Sequence, residues 1–135
     1  MKLTTKSEYA CLALLELAEH TGDGLIKTED IAKRRNIPKK YLEQILLSLN
    51  KAGYVRSKRG TDGGYILAKD PKDVSVAEII RLMDGPLAPV DSVSTYYYQK
   101  TPIQQSKALV KVMKKIRDYT SRTLENTTFA DLVEN

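Results

Sequence analysis

Residues 28–67 read TEDIAKRRNIPKKYLEQILLSLNKAGYVRSKRGTDGGYIL. Thr28 has the chemistry of a helix N-cap, and Glu29 and Asp30 follow in the first turn, where the helix dipole favours acids. Ile31 and Ala32 supply a short apolar face, and Lys33, Arg34 and Arg35 close the helix. Asn36-Ile37 makes a turn. Pro38 stands where a proline fits the first position of a new helix. Tyr41, Leu42, Ile45, Leu46 and Leu49 then recur as the stripe of an amphipathic helix, and Gly53 supplies its C-terminal stop. Residues 54–58 are strand-like, residues 59–64 are rich in turn formers, and residues 65–67 return as a second strand.

The flanks extend the pattern. Thr5 and Glu8 form a capping-box pair, and Tyr9, Leu12, Ala13, Leu15, Leu17 and Ala18 follow with little polar interruption. A mostly buried first helix is expected, ending near the glycines at 22 and 24. Pro71 breaks the chain after the hairpin. Ser75 and Glu78 form another capping-box pair, opening a helix to about Met83. Residues 85–102 hold three prolines and read as irregular. Residues 103–124 predict a long helix carrying Leu109, Val112, Met113, Ile116, Tyr119 and Leu124. Thr128 can cap a last short element, Phe129 to Val133.

A first helix, a short helix–turn–helix pair and a glycine-rich hairpin make a winged helix-turn-helix. The expected fold is mainly α with one small β-hairpin, plus a long C-terminal dimerisation helix. The expected division is a DNA-binding domain at 1–84, an irregular linker and signal loop at 85–102, and a dimerisation helix with tail at 103–135. A helix of about 20 residues spans about 30 Å, wide for so small a domain. It packs on a second copy through Leu109, Val112, Met113, Ile116 and Tyr119, or else only on its own domain.

Composition excludes several functions. The chain has 135 residues, one cysteine and one histidine. One cysteine allows no intrachain disulfide. A Cys/His metal cage needs about four ligands, so one chain cannot build one. Any Cys–His or Ser–His catalysis would have to use His20. An enzyme is not expected. No apolar run approaches the roughly 18 residues of a membrane span, and the first residues lack the apolar core of a secretory signal. A cytoplasmic location without membrane contact is expected.

The charge is concentrated. Residues 27–60 hold ten basic residues against three acids, a balance of +7 in a chain whose total is +5. A basic segment on a near-neutral body suits a polyanion binder; a solvated helix face would look the same by charge alone. Placement favours double-stranded DNA as partner. The third helix presents its N-terminal residues to a major groove, where base edges can be read. Lys39 and Lys40 suit phosphate or guanine, Gln44 suits adenine, and Glu43 can accept from cytosine. Arg59 on the hairpin tip suits a narrow minor groove, with Lys58 beside it.

Several blocks together resemble the Rrf2 family of bacterial regulators. They are Met1 to Lys6 with Tyr9, Tyr41 to Leu46, Lys51 to Ser57, Arg59-Gly60 with Gly63-Gly64-Tyr65, Glu78-Ile79-Ile80, Gly85 to Val90, and Asn126 to Leu132. The resemblance implies a homodimeric, sequence-specific transcription factor, read here as a repressor on a pseudo-palindromic operator. It implies base reading by Lys40, Glu43 and Gln44, with Arg59 in the minor groove. The full candidate DNA-contacting set is Lys2, Thr4, Tyr9, Thr28, Lys39, Lys40, Tyr41, Glu43, Gln44, Lys58, Arg59, Gly60, Gly63 and Gly64.

One departure from the family is expected to matter. Cluster-binding members carry three cysteines between the Gly-Pro-Leu-Ala-Pro-Val block and the long helix; this chain has Ser92, Thr101 and Ser106 at the matching places. Hydroxyls do not replace thiolates on iron, so no iron–sulfur cluster and no other cofactor is expected. An unknown small-molecule or protein effector would act instead, with Tyr96, Tyr97 and Tyr98 as candidate contacts; their rings could equally pack on the long helix or the dimer mate. Cys11 reads as a small core hydrophobe rather than a redox sensor, and His20 as structural. The alternative function is a winged-helix interaction module without regulated DNA binding.

Overall fold

The computed structural model describes residues 1–133. Helix α1 spans Thr5–Glu19, and its N-cap is Thr4 rather than Thr5. The Thr4 hydroxyl accepts from the Ser7 N–H at 3.2 Å. The same hydroxyl donates to the Asp84 carboxylate, and the Thr4 N–H donates to Asp84 Oδ2 at 3.1 Å. A distant carboxylate thus selects one of two adjacent threonines. Ala10, Ala13, Leu14, Leu17 and Ala18 are buried, and so are two polar residues of the same helix, Ser7 and Glu16.

Helix α2 spans Thr28–Arg35, with Lys27 at its cap position and Thr28 as its first helical residue. The expected Thr28 cap is therefore displaced by one residue. The cause is upstream: Ile26 pairs with Tyr65 through two backbone bonds of 2.9 and 2.8 Å, which sets the chain's entry into the helix. The Lys27 carbonyl then accepts from Asp30 and Ile31. At the other end Asn36 takes the left-handed conformation, and the Ile37 N–H reaches back to the Ala32 carbonyl at 2.9 Å.

Helix α3 spans Lys39–Lys51 and begins one residue past Pro38, which occupies the cap. Leu42, Ile45, Leu46 and Leu49 are buried as the stripe predicts, whereas Tyr41 is exposed. Strands β1 (Val55–Lys58) and β2 (Gly64–Leu67) pair antiparallel, from Val55 opposite Leu67 to Lys58 opposite Gly64. A 3₁₀ turn at Pro71–Asp73 leads to helix α4, Val76–Asp84. Its capping box forms between Ser75 and Glu78 as read from the sequence.

Residues 85–106 hold two further 3₁₀ turns, Asp91–Val93 and Pro102–Gln105. The second displaces the start of the long helix, α5, to Lys107; it runs to Glu125 with Ser106 as its cap. Thr101 and Gln104 close a capping box of their own, which satisfies the turn before the helix begins. Helix α6, Phe129–Val133, packs against α1 and the 3₁₀ turn at Pro71–Asp73. Phe129 is 1% exposed and belongs to the cluster formed by Leu14, Leu42, Leu46, Leu49 and Ile79. Its N–H donates to the Val74 carbonyl at 3.1 Å, and Ser75 bridges Thr128. The tail is thus part of the winged-helix core. Fully burying a phenyl ring contributes about 1.5–3 kcal/mol, enough to hold a five-residue helix that would not persist alone. Among the described residues no helix is long and apolar enough to cross a membrane.

Candidate nucleic-acid interface

The exposed side of α3 is set by the period that buries its other side. With Leu42, Ile45, Leu46 and Leu49 inward, Lys40, Glu43, Gln44, Leu47 and Lys51 share the outward face at steps of three and four, and all five are exposed. Leu47, half exposed, was not anticipated; its place seven residues after Lys40 was the available signal. An apolar side chain among these groups can meet a thymine methyl.

The wing stands beside that face. A cleft of about 490 Å³ is lined by Thr28 in the first turn of α2, by Leu47 and Asn50 of α3, and by Lys58, Arg59 and Gly60 of the hairpin. Asn50 Nδ2 donates to Ser57 Oγ at 3.3 Å, tying the end of α3 to β1. Lys58, Arg59 and Gly60 are exposed. Gly63 and Gly64 are fixed by sterics within the protein: a Cβ on Gly63 would lie 2.1 Å from the Lys58 carbonyl oxygen, and one on Gly64 2.5 Å from that of Ile26. Gly64 also has φ +147°, which side-chain-bearing residues seldom adopt. These glycines let the hairpin fold tightly and lie against the backbone of Ile26.

The other candidate residues divide by their partners. Tyr9 and Tyr41 meet edge-to-face at 5.5 Å, joining α1 to the start of α3. Lys2 lies exposed in the arm before α1, and Thr4 is committed to Ser7 and Asp84. Lys39 pairs with Glu29 at 3.4 Å, a contact between two exposed side chains that contributes little.

The basic residues closing α2 have another role. Arg34 Nη1 donates to Glu16 Oε2 at 3.1 Å and Arg35 Nε to Glu16 Oε1 at 2.8 Å, while Arg35 Nη2 reaches Glu19 at 2.9 Å. Glu16 is only 4% exposed. Burial pushes its carboxyl up, but the Arg34 and Arg35 bonds outweigh that, and its pKa lies below the usual carboxylate range. The arginines hold α2 to α1 instead of adding freely to the positive footprint. Lys27, Lys33, Lys40, Lys51, Arg56, Lys58 and Arg59 have no carboxylate partner among the described residues. Glu16, Glu19 and His20 bring three potential metal-ligand atoms within 4.8 Å of one another, yet both Glu16 oxygens already carry a guanidinium.

The body is less neutral than its sum suggests. Between Asp91 and Asp118 the chain has six cations and no acid. Lys107, Lys111, Lys114 and Lys115 line one side of α5. The apolar Leu109, Val112, Ile116 and Tyr119, between 46 and 72% exposed, lie about 140° around the helix from them. Met113 is half-buried. Cys11 packs beside both core clusters, where burial, with the Asp84 charge adding, pushes its thiol up to about 11. Little thiolate forms there at neutral pH.

The chain as a whole has known counterparts. Residues 3–135 match the family model described as Rrf2, iron-dependent transcriptional regulator. The chain belongs to the Rrf2 family. The HTH-type transcriptional regulator CymR of Bacillus subtilis is 34% identical over 132 residues, covering 98% of this chain and 89% of that one. The solved structure of B. subtilis CymR, the global cysteine regulator, superposes with a TM-score of 0.79 at 31% identity, over 99% of this chain and 97% of that one. That of T. potens IscR superposes with a TM-score of 0.78 at 33% identity, over 99% and 87%. This Rrf2 protein is thus a DNA-binding transcriptional regulator of winged helix-turn-helix form, and not an enzyme.

The family description names iron, so the three places read against the family's ligands bear on whether a cluster fits. Ser92 Oγ and Thr101 Oγ1 are hydrogen-bonded to each other. Ser106 Oγ accepts from the Leu109 N–H at 3.2 Å as the cap of α5. Three hydroxyls, all engaged, are the wrong donors for iron–sulfur chemistry. Nearby, Tyr96, Tyr97 and Tyr98 are 70, 47 and 57% exposed, and Tyr96 lines a cleft with Asp118, Ser121, Arg122 and Glu125 of α5. The Arg81 guanidinium sits over the Tyr96 ring at 5.1 Å, and Gln104 Nε2 donates to the Tyr98 hydroxyl at 2.7 Å.

Proposed function

We propose that this regulator binds a pseudo-palindromic operator as a homodimer and represses transcription in the cytoplasm without an iron–sulfur cluster. The observation that carries the reading is the continuity of the outer face of α3 with the wing. Lys40, Glu43, Gln44 and Leu47 enter the major groove, and the cleft beside Leu47 leads to Arg59, which enters the adjacent minor groove. Thr28, Lys58 and Gly60 flank the phosphates, with Lys2 and the Tyr9–Tyr41 pair at the edge of the footprint.

The unpartnered apolar side of α5 supports the dimer. The helix has 19 residues and no buried one; two copies packed along it would cover Leu109, Val112, Ile116 and Tyr119. In a symmetric dimer the separation of the two α3 helices sets half-site spacing. The three-part division, with 1–84 binding DNA, 85–102 as signal loop and 103–135 dimerising, is kept with one change of weight: Phe129 makes the tail part of the first unit's core. The hydroxyl set at Ser92, Thr101 and Ser106 supports a signal other than a cluster. Exposed Tyr96, Tyr97 and Tyr98 offer an effector a surface between the two functional parts.

The test is selection of bound duplexes from a random pool, followed by affinity against salt concentration. A palindromic consensus and a steep log–log slope, about 0.9 for each phosphate neutralised, are expected. A flat salt response with no enriched sequence would leave an interaction module as the better account.

A further inference from the structure

We propose that the cavity at the base of the wing is a binding site for a small carboxylate with an apolar body. It measures about 610 Å³ and lies between the end of α1, the loop leading to α2, and the outer side of the hairpin. That volume falls in the range of small-molecule sites. Leu17, Ile26, Ile66, Leu67 and Pro71 line it, and β2 is half-buried along its whole length.

The cations of the lining are Arg56 and Lys69. Arg56 forms no ion pair among the described residues, and Lys69 shares its charge with Glu78, whose carboxyl it helps to hold below the usual range. Lys69 is held in place by the Tyr54 ring, 4.5 Å from its Nζ. His20 Nδ1–H donates to the Glu16 carbonyl at 2.9 Å, which leaves Nε2 without a partner among the described residues. The one acid of the lining, Asp70, is turned to its own chain, where Oδ1 accepts from the Lys72 N–H at 3.0 Å. An apolar body thus meets the floor while an anionic head meets Arg56 and Lys69; both repel a cationic head, and a neutral head gains no charge-assisted bond from them.

The site has a route to the wing. Arg56 and Ile66 are opposite one another in the hairpin, two and three residues from Lys58 and Arg59, and Ile26 is the residue that pairs with Tyr65. A ligand spanning α1 and β2 splints the hairpin in the orientation seen here. Its effect on DNA affinity rests on the operator-binding reading above; its binding does not.

Isothermal titration of the full chain without DNA, using sodium octanoate, octan-1-ol and octylamine, tests the site. Saturable binding of octanoate, one per chain, is expected, with the alcohol and amine at least about tenfold weaker. Lys69→Gln should weaken octanoate by about tenfold, and Ala68→Trp should remove it by filling the cavity, both with unchanged circular dichroism. Since Ala68→Trp could disturb folding, Lys69→Gln alone carries the decision if it does. No saturable octanoate binding, equal binding of all three probes, or wild-type affinity in Lys69→Gln would overturn the proposal. Duplex affinity with and without octanoate then separates the two claims: DNA binding that octanoate leaves unchanged removes the regulatory role alone, and absence of DNA binding sinks the operator reading while the titration still decides the site.

Discussion

Glu16→Gln should loosen the helix-turn-helix without touching its DNA face. The substitution keeps the side-chain volume and one acceptor oxygen but removes the charge that Arg34 and Arg35 share. A hydrogen bond to a charged group contributes about 1.5–3 kcal/mol. The Arg35 bond, with a guanidinium 20% exposed, keeps most of that; the Arg34 bond, 47% exposed, is discounted to about 1 kcal/mol or less for solvent screening. The expected loss is about 2–3 kcal/mol, read as a lower urea midpoint at unchanged slope. The pH dependence carries a sign. Glu16 has a lowered folded-state pKa, so its contribution is complete above the unfolded value of about 4.3 and is lost as the pH falls through the lower folded value. The difference between wild type and Glu16→Gln should therefore be full at pH 7 and shrink in the acid range. Because α2 leads directly into α3, duplex affinity should fall with stability. A loss under about 0.5 kcal/mol, or a difference that grows toward acid, would refute the reasoning.

The wing, the readout, the dimer and the tail each yield a further expectation. Gly63→Ala forces a Cβ against the Lys58 carbonyl, so the hairpin should lose its geometry and duplex affinity should drop while helical circular dichroism is retained; an unchanged affinity would remove the wing from the interface. Gln44→Ala should cost about 1–3 kcal/mol at one base pair and relax the consensus there, whereas Lys58→Ala should weaken all duplexes alike and lower the salt slope by about one. Ile116→Asp places a charge in the exposed apolar side of α5, and sedimentation should show a folded monomer that binds single half-sites; a persistent dimer would move the interface elsewhere. Phe129→Ala should destabilise the winged-helix domain by about 3–5 kcal/mol in urea titration, although the residue lies at the far end of the chain.

Elements whose signals are local were legible. The α3 stripe, the Ser75–Glu78 box and the Gly53 stop each depend on residues within one or two turns of each other, and each appears where the pattern places it, except that Tyr41 at the start of the stripe is exposed. Boundaries moved where a distant partner intervened: Asp84 selected Thr4 over Thr5, and the Ile26–Tyr65 bridge set the entry to α2. The start of α5 moved because Thr101 and Gln104 closed a separate turn first. Of the candidate interface, the spacing of Lys40, Glu43 and Gln44 sufficed to place them on one face, since a helix repeats every 3.6 residues. Leu47 went unnoticed because an apolar residue inside an apolar run gives no sign of exposure.

The chain order and periodicity alone determined the winged helix-turn-helix, because turn chemistry and amphipathic spacing act over a few residues. Only the tertiary structure decided which charges are free. Arg34 and Arg35 count by sequence toward the +7 of residues 27–60, and in the fold an acid 18 and 19 residues away is buried against them. It also decided that Phe129 belongs to the core that α1 and α3 form and that Gly63 and Gly64 answer to neighbouring carbonyls. In each case the partner is remote along the chain and near in space, and a sequence pattern does not encode that distance.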